Sequence, residues 1–307
     1  MSKFIAAAVQ WTPVVHDAKR GAQKACEAIA EAAGKGARLV VFPELWLQGY
    51  PYYAGIQMSS PVYLAWRDVY YNAAISVDGP EMASIRKAAA KHKCCVVMSA
   101  HEREGGTLYN SQMFIADDGS LLGCHRKLIP TQTERMVHGR GDGSDLDVYE
   151  TSIGRLGGLL CFEHHMAPAR YALCTLHCQV HAAAWPGFEF LHPIVDANSR
   201  QLAVENGCFV IVARDVLDPS RIADGMPGVG DEGHHWEMHG GSAIISPMGE
   251  YIVEPVLDKE TIITAEIDLA ACSLSKWFVD GAGHYARPDV FQLRWDRRPK
   301  KPLELIE

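Results

Sequence analysis

"GGLLCFEHHMAP", Gly157 to Pro168, sets a short apolar run, Leu159-Leu160, directly against a cysteine, a glutamate and two histidines. A buried strand ordinarily ends in turn residues such as Gly, Asn or Pro. This one ends in groups capable of chemistry. Free cysteine is among the most buried residue types, so one reading makes Cys161 another core side chain. The other makes it a nucleophile presented at a strand end, and the rest of the chain has to decide between them.

Working outward, "APARYALCTLH" follows as a helix entered near Pro168, and "QVHAAAW" as the next buried strand. The same alternation runs through most of the chain. "KFIAAAVQ" (Lys3 to Gln10) reads as a first strand. A helical pattern through Ala25, Ile29 and Ala32 follows, ending at Gly34, and then comes the strand "RLVVFPE". Helical segments are predicted from Pro61 to Ile75 and from Pro80 to Lys91, where Pro80 suits a first turn. "CCVVMSA" is a strand, and "LYNSQMFIADDGSLLGCHRK" a hairpin turning at Asp117-Asp118-Gly119. Beyond a polar loop from Pro130 to Leu146, the strands "RLGGLLC", "CFVIVAR", "GSAIIS" and "TIITAEID" and a helix from Pro193 to Glu205 complete the pattern. This is an α/β chain with a mixed sheet or two sheets and helices outside.

The bulk properties agree. The 307 residues are 48% hydrophobic and 21% charged, enough for a sizeable core. A formal net charge of −8 argues against a nucleic-acid partner. No apolar run reaches the roughly 18 residues of a membrane span, and "MSKFIAAAVQWTP" lacks the long apolar region of a signal peptide. The nine cysteines are odd in number and have no framework spacing. Cys94 and Cys95 are neighbours in a strand, so their side chains point to opposite faces. The expectation is reduced thiols in a cytoplasmic protein.

Three reactive side chains close predicted strands: Glu44 after "RLVVFP", Lys127 after "LLGCHR" and Cys161 after "RLGGLL". Catalytic groups in α/β sheets gather at that end. Together the three make a working unit. A thiol is only a few per cent ionised at neutral pH, an ammonium nearby favours the thiolate, and a carboxylate takes the proton and later activates water.

Four blocks then carry a resemblance. "VFPELWLQGYPYY", "HRKLIPTQTERMVHGRGDGS", "LLCFEHHMAPARYAL" and "GHYARPDV" occur in family order and resemble the nitrilase branch of the carbon–nitrogen hydrolase superfamily. The resemblance implies an α-β-β-α sandwich with two mixed sheets. It implies one domain over residues 1–290, followed by a tail, 291–307, in subunit contacts. It also implies a homodimer or larger homo-oligomer, spirals included, and no metal or organic cofactor. It assigns a Glu–Lys–Cys triad to Glu44, Lys127 and Cys161, with Glu134 as a second, supporting glutamate. The implied reaction is hydrolysis of a small-molecule nitrile through a cysteine thioimidate and thioester. Amidase, carbamoylase and cyanide-hydrating relatives are the alternatives, and a non-catalytic assembly protein is the reading from another class. Substrate contacts are expected from Tyr53, Phe162 and Trp185. Phe162 stands where the branch usually has Trp, Glu163-His164-His165 where it has ENY or EHY, His138 where it often has Trp, and Gln48 opens the "QGYP" piece. These departures leave the triad intact and bear on substrate choice.

Other signals carry less. His235 and His239 are four apart, but flanking glycines oppose a helical zinc site. Arg140-Gly141-Asp142 would need an extracellular setting to be adhesive. "GMPGVGDEG" reads as a loop over the pocket. Of the adjacent His164 and His165, only one can face a site in extended chain, and His284 in "GHYARPDV" reads equally as an active-site or subunit contact and as a loop residue.

Overall fold

The chain is described here by a computed structural model covering residues 3–55, 57–217 and 237–300. In chain order the elements begin β1 (Lys3–Gln10), α1 (Ala18–Gly34), β2 (Ala37–Val41), α2 (Pro61–Ala73), α3 (Pro80–His92), β3 (Cys95–Glu104), β4 (Thr107–Ile115) and β5 (Leu121–Arg126). They continue with β6 (Tyr149–Thr151), β7 (Gly154–Leu160), α4 (Ala167–Thr175), β8 (Val180–Trp185), α5 (His192–Asn206) and β9 (Phe209–Arg214). The last are β10 (Val216–Leu217), β11 (Met238–Ile245), β12 (Tyr251–Leu257), β13 (Thr261–Asp268) and α6 (Ala270–Lys276).

Period-two patterning decides the layers. Along β1, Ala6 and Ala8 join one apolar cluster while Ala7 and Val9 join another. In β2, Leu39 and Val41 part from Val40 in the same way. Cys94 and Cys95 fall in opposite clusters, as their adjacency requires. The cluster holding Ala6, Leu39 and Val97 also holds Leu156, Ala182 and Ile211, so it lies between two sheets. The other clusters set α1 and α3 on the outer face of the first sheet, and α4 and α5 on that of the second. The result is an α-β-β-α sandwich of two mixed sheets.

Among the described residues the first sheet runs β13-β1-β2-β3-β4-β5, and the second runs β10-β11-β9-β8-β7-β6 with β12 also on β11. The central pairs β1–β2, β2–β3, β7–β8 and β8–β9 are parallel. Their carboxyl ends therefore gather on one side of each sheet. The helices between them are locally specified. Asp17 accepts from the Arg20 N–H at 2.9 Å to cap α1, a cap typically worth about 1 kcal/mol. Pro61 and Pro80 sit in the first turns of α2 and α3. Gly207 ends α5 at φ +59°, where a side chain would be strained. Gly158 in β7 serves a different need. A Cβ there would lie 2.6 Å from both Ala182 O and Gln112 Oε1, so glycine lets the two sheets approach beside the strand that ends before Cys161.

No helix among the described residues is long and apolar enough to cross a membrane.

Candidate active site

Three loop entries deliver the reactive groups. Glu44 follows β2, Lys127 is the first residue past β5, and Cys161 is the first past β7. The Lys127 N–H donates to Asn110 O, and its carbonyl accepts from the Gly141 N–H, each at 2.8 Å. Cys161 has φ +50° and opens a tight turn over Cys161–His165. A non-glycine residue in that region costs on the order of 1–3 kcal/mol unless its surroundings hold it. Here His164 Nδ1 lies 2.7 Å from Cys161 O and donates to it.

Two carboxylates, Glu44 and Glu134, meet on the Lys127 ammonium. Its Nζ lies 2.7 Å from Glu44 Oε1 and 2.8 Å from Glu134 Oε2, with all three side chains buried. Buried charges are tolerated only when paired and hydrogen-bonded, and the two carboxylates differ in how fully that is met. Glu134 accepts from Lys127, from the Tyr50 hydroxyl at 2.5 Å and from the Thr131 N–H at 3.1 Å, using both oxygens. Glu44 Oε1 accepts from Lys127 and from Asn110 Nδ2 at 2.7 Å, whereas its Oε2 is buried with no protein partner. Glu134 is not a solvated loop charge paired with Arg135, whose Nε donates to Pro130 O instead.

Ionisation follows from these partners. Burial pushes Glu44 up to about 7 against the pull of Lys127, and the neighbouring Glu134 pushes it further. Burial also raises Glu134, but Lys127, His138 and the Tyr50 hydroxyl outweigh it, and the net shift is downward. Lys127 is held well above its usual range, because Glu134 and Glu44 overcome the cost of burying its charge. The Cys161 thiol is driven well above its ordinary value by burial and then by Glu44. Lys127 and the Phe162 N–H pull the other way. Cys161 therefore sits within the electrostatic reach of Glu44, Lys127 and Glu134, and its burial favours the neutral thiol.

Cys161 opens onto a cavity of about 500 Å³ lined by Tyr50, Phe162, Phe188, Phe190 and Leu191, with Glu189, Glu237 and His239 among its polar residues. Of the expected substrate contacts, Phe162 lines it. Tyr53 does not. It lies against Tyr63 and Tyr70 and lines a separate cavity with Arg67 and Val137. Trp185 does not either: it is the last residue of β8 and is buried against the turn that opens at Cys161. It stacks on His164 at a centroid distance of 4.9 Å and packs edge-on to Phe162. Both aromatics are buried in apolar clusters, Trp185 beneath Cys161 and Leu191 and Tyr53 among Tyr63, Trp66 and Tyr70. Tyr50 occupies the place expected of Tyr53.

His164 and His165 part company, as their adjacency requires. His164 is buried, and its Nε2 lies 3.0 Å from His181 Nε2. Since its Nδ1 donates to Cys161 O, His181 donates across that contact. Burial lowers His164 to about 4, keeping it neutral. His165 is exposed and meets Asn198. His138 approaches His101 at 2.8 Å, while Gln48 ties to the backbone of Ala73 and His101, so both support the loop that carries Tyr50. Exposed His284 meets Phe278 O and lies outside the cavity. His239 pairs with Asp258. His235, residues 225–233 of the glycine-rich loop, and 301–307 of the tail fall outside the described residues. Among the described residues no group of three or more His, Cys, Asp or Glu side chains could hold a metal ion.

Tyr50, Asn110, His125 and Asp145 were not singled out from sequence. Tyr50 and His125 lie inside motif blocks, and their neighbourhood with Glu44 and Lys127 is the available signal. Asn110 and Asp145 look like ordinary strand and loop polar residues until the chain closes.

The sequence profile of the carbon-nitrogen hydrolase family matches residues 5–276. An aliphatic nitrilase of Rhodococcus rhodochrous is 38% identical over 98% of this chain and 84% of its own. Nitrilase 2 of Arabidopsis thaliana is 35% identical over 97% of this chain and 90% of its own. The crystal structure of a carbon-nitrogen hydrolase from Helicobacter pylori G27 superposes with a TM-score of 0.72 at 23% identity, covering 94% of this chain and 97% of that one, which is a likeness of fold. On the span of the profile match and the extent of these relatives, the chain belongs to the carbon-nitrogen hydrolase family.

Proposed function

We propose that the protein is a nitrilase, converting an organic nitrile and two waters to a carboxylic acid and ammonia, with Cys161 as nucleophile, Glu44 as proton shuttle, Lys127 as charge stabiliser and Glu134 holding Lys127. One observation carries the reading. A buried thiol shares its surroundings with two carboxylates on one ammonium, and of those carboxylates only Glu44 keeps an unpartnered oxygen. Such a divergence separates an exchangeable acid–base from a fixed counter-ion. The nitrilases among the relatives support the choice of substrate.

In the first step the Cys161 proton passes to Glu44 while sulfur bonds to the nitrile carbon, and Glu44 returns the proton to nitrogen, giving a thioimidate. Water adds with Glu44 as base. The tetrahedral carbon then expels ammonia to leave a thioester, and a second water releases the acid and restores the thiol. Lys127 and the Phe162 N–H face the charge that develops at each tetrahedral stage. The aromatic lining favours nitriles with an aryl or bulky apolar group. The acidic rim from Glu189 and Glu237 favours neutral over anionic ones.

Two wider proposals accompany this one. Nine unpaired thiols suit a reducing cytoplasm. Leu274, Trp277 and Phe278 are 69%, 83% and 61% exposed, an apolar surface suited to burial against a second copy. The tail, proposed for subunit contacts, docks in part on its own chain, where Trp295 Nε1 donates to Gly143 O at 3.0 Å.

Ammonia and acid release are measured in parallel on a nitrile panel that includes cyanide and on a matching amide panel. Turnover of organic nitriles to the acid is the expected result. Turnover of amides alone assigns an amidase, turnover of cyanide alone a cyanide-converting enzyme, and either outcome overturns the proposal.

A further inference from the structure

The proposed catalytic array does not use a second buried ionic cluster, made by Glu163, His125 and Asp145. Glu163 is buried, and its carboxylate is fully engaged. Oε1 accepts from the Leu128 N–H at 2.7 Å and Oε2 from the Leu160 N–H at 2.9 Å. His125 Nε2 lies 3.1 Å from each oxygen. Leu128 directly follows Lys127, and Leu160 directly precedes Cys161. One carboxylate thus joins the two chain segments that deliver the ammonium and the thiol.

His125 completes the cluster. Its Nδ1 lies 2.9 Å from Asp145 Oδ1, and Asp145 Oδ2 accepts from the Arg126 N–H at 3.1 Å. Both ring nitrogens face carboxylates, so both carry a proton and the ring is an imidazolium. Burial lowers its affinity for that proton, but Glu163 and Asp145 outweigh burial and bring it to about 10. Burial raises Glu163, yet His125 and the two backbone donors hold it below the usual carboxylate range. Arg126, the next residue along the strand, points to the opposite face, where it pairs with Glu102 and Glu104, and Lys127 beyond it pairs with Glu44 and Glu134.

We propose that Glu163 is a positioning residue: its carboxylate, kept ionised by the His125 imidazolium and anchored through Asp145, fixes the separation between Lys127 and Cys161. The proposal rests on the catalytic roles given to those two residues. A misplacement of about 1 Å at a reacting centre can cost on the order of a hundredfold in rate. Losing the carboxylate frees one of the two N–H groups, and losing the imidazolium leaves a buried carboxylate that protonates as pH falls.

The test compares H125Q, E163Q and the double variant by kcat, KM and pH profile on a substrate the wild type turns over. E163Q is expected to lower kcat by about a hundredfold with KM within about threefold. Wild type and E163Q are expected to lose activity on the acid side with a slope of one, from Glu44 alone. H125Q is expected to approach a slope of two as Glu163 protonates as well. The double variant is expected to be no slower than E163Q, because the pair acts as a unit. A folded H125Q with slope one and kcat within about threefold of wild type overturns the proposal. Should H125Q not fold, Asp145→Asn carries the same slope test with the same two outcomes. If no nitrile is turned over but an amide is, the proposed substrate fails while the slope comparison still judges the positioning role.

Discussion

Two carboxylates meet on the Lys127 ammonium, and their remaining partners push their proton affinities apart. Glu134 has hydrogen bonds to both oxygens and stays ionised, whereas Glu44 has an unpartnered oxygen and sits near 7. In the proposed mechanism the Glu44 carboxylate takes the thiol proton, and its ionised fraction falls about tenfold for each pH unit below that value. The kcat/KM profile of the wild type is therefore expected to rise with pH through a limb near 7. Glu44→Gln should lose that limb and about 10²–10⁴-fold in kcat. A wild-type profile flat from pH 5 to 8 would remove Glu44 from the role of base. Glu44, Lys127 and Cys161 stand out in the sequence as candidates because each is a reactive group stranded at the end of an apolar run, and the structure sets Glu44 against Lys127. Asn110 and His125 do not. Each lies within a strand, and its partner is brought to it only by tertiary closure, 66 residues away for Asn110–Glu44 and 38 for His125–Glu163.

At the scale of elements, the sequence showed the buried strands and long helices and missed those with little apolar patterning of their own. β12 has mostly exposed or half-buried residues and contains Pro255, a residue tolerated at a sheet edge but not central to one. β6 is three residues long. α6 was missed because its apolar residues do not all face the core. Cys272 is buried, while Leu274 and the Trp277-Phe278 pair beyond the helix are exposed. That surface supplies a test of assembly. The wild type is expected to run as a dimer or larger species in size-exclusion chromatography with light scattering. Trp277→Ser combined with Phe278→Ser should lower the assembly mass or weaken association about tenfold or more, with Tm nearly unchanged. Unchanged mass and affinity would show that α6 and its aromatic extension are not the contact.

At the scale of the whole molecule, the sandwich sets carboxyl ends of strands from both sheets side by side. The first sheet brings Glu44 and Lys127, and the second brings Cys161, which opens onto the aromatic cavity. Gly158 permits the close approach of the sheets beside the strand that leads to Cys161. Two stacked sheets with outer helices followed from period-two apolar runs alternating with helical ones. The pairing of β13 with β1 at one edge had no local signal, since it joins residues more than 250 positions apart. The aromatic cavity lining was also only partly readable, because Tyr50, Phe188 and Phe190 acquire a common direction only when the two sheets close. All of this serves one claim, that Cys161 is a nucleophile and not a core thiol. Intact-mass spectrometry of enzyme quenched during nitrile turnover, with peptide mapping, tests it most directly. The account predicts an added thioimidate or acyl group on the peptide containing Cys161 and neither adduct nor turnover in Cys161→Ala; full turnover by Cys161→Ala would contradict it.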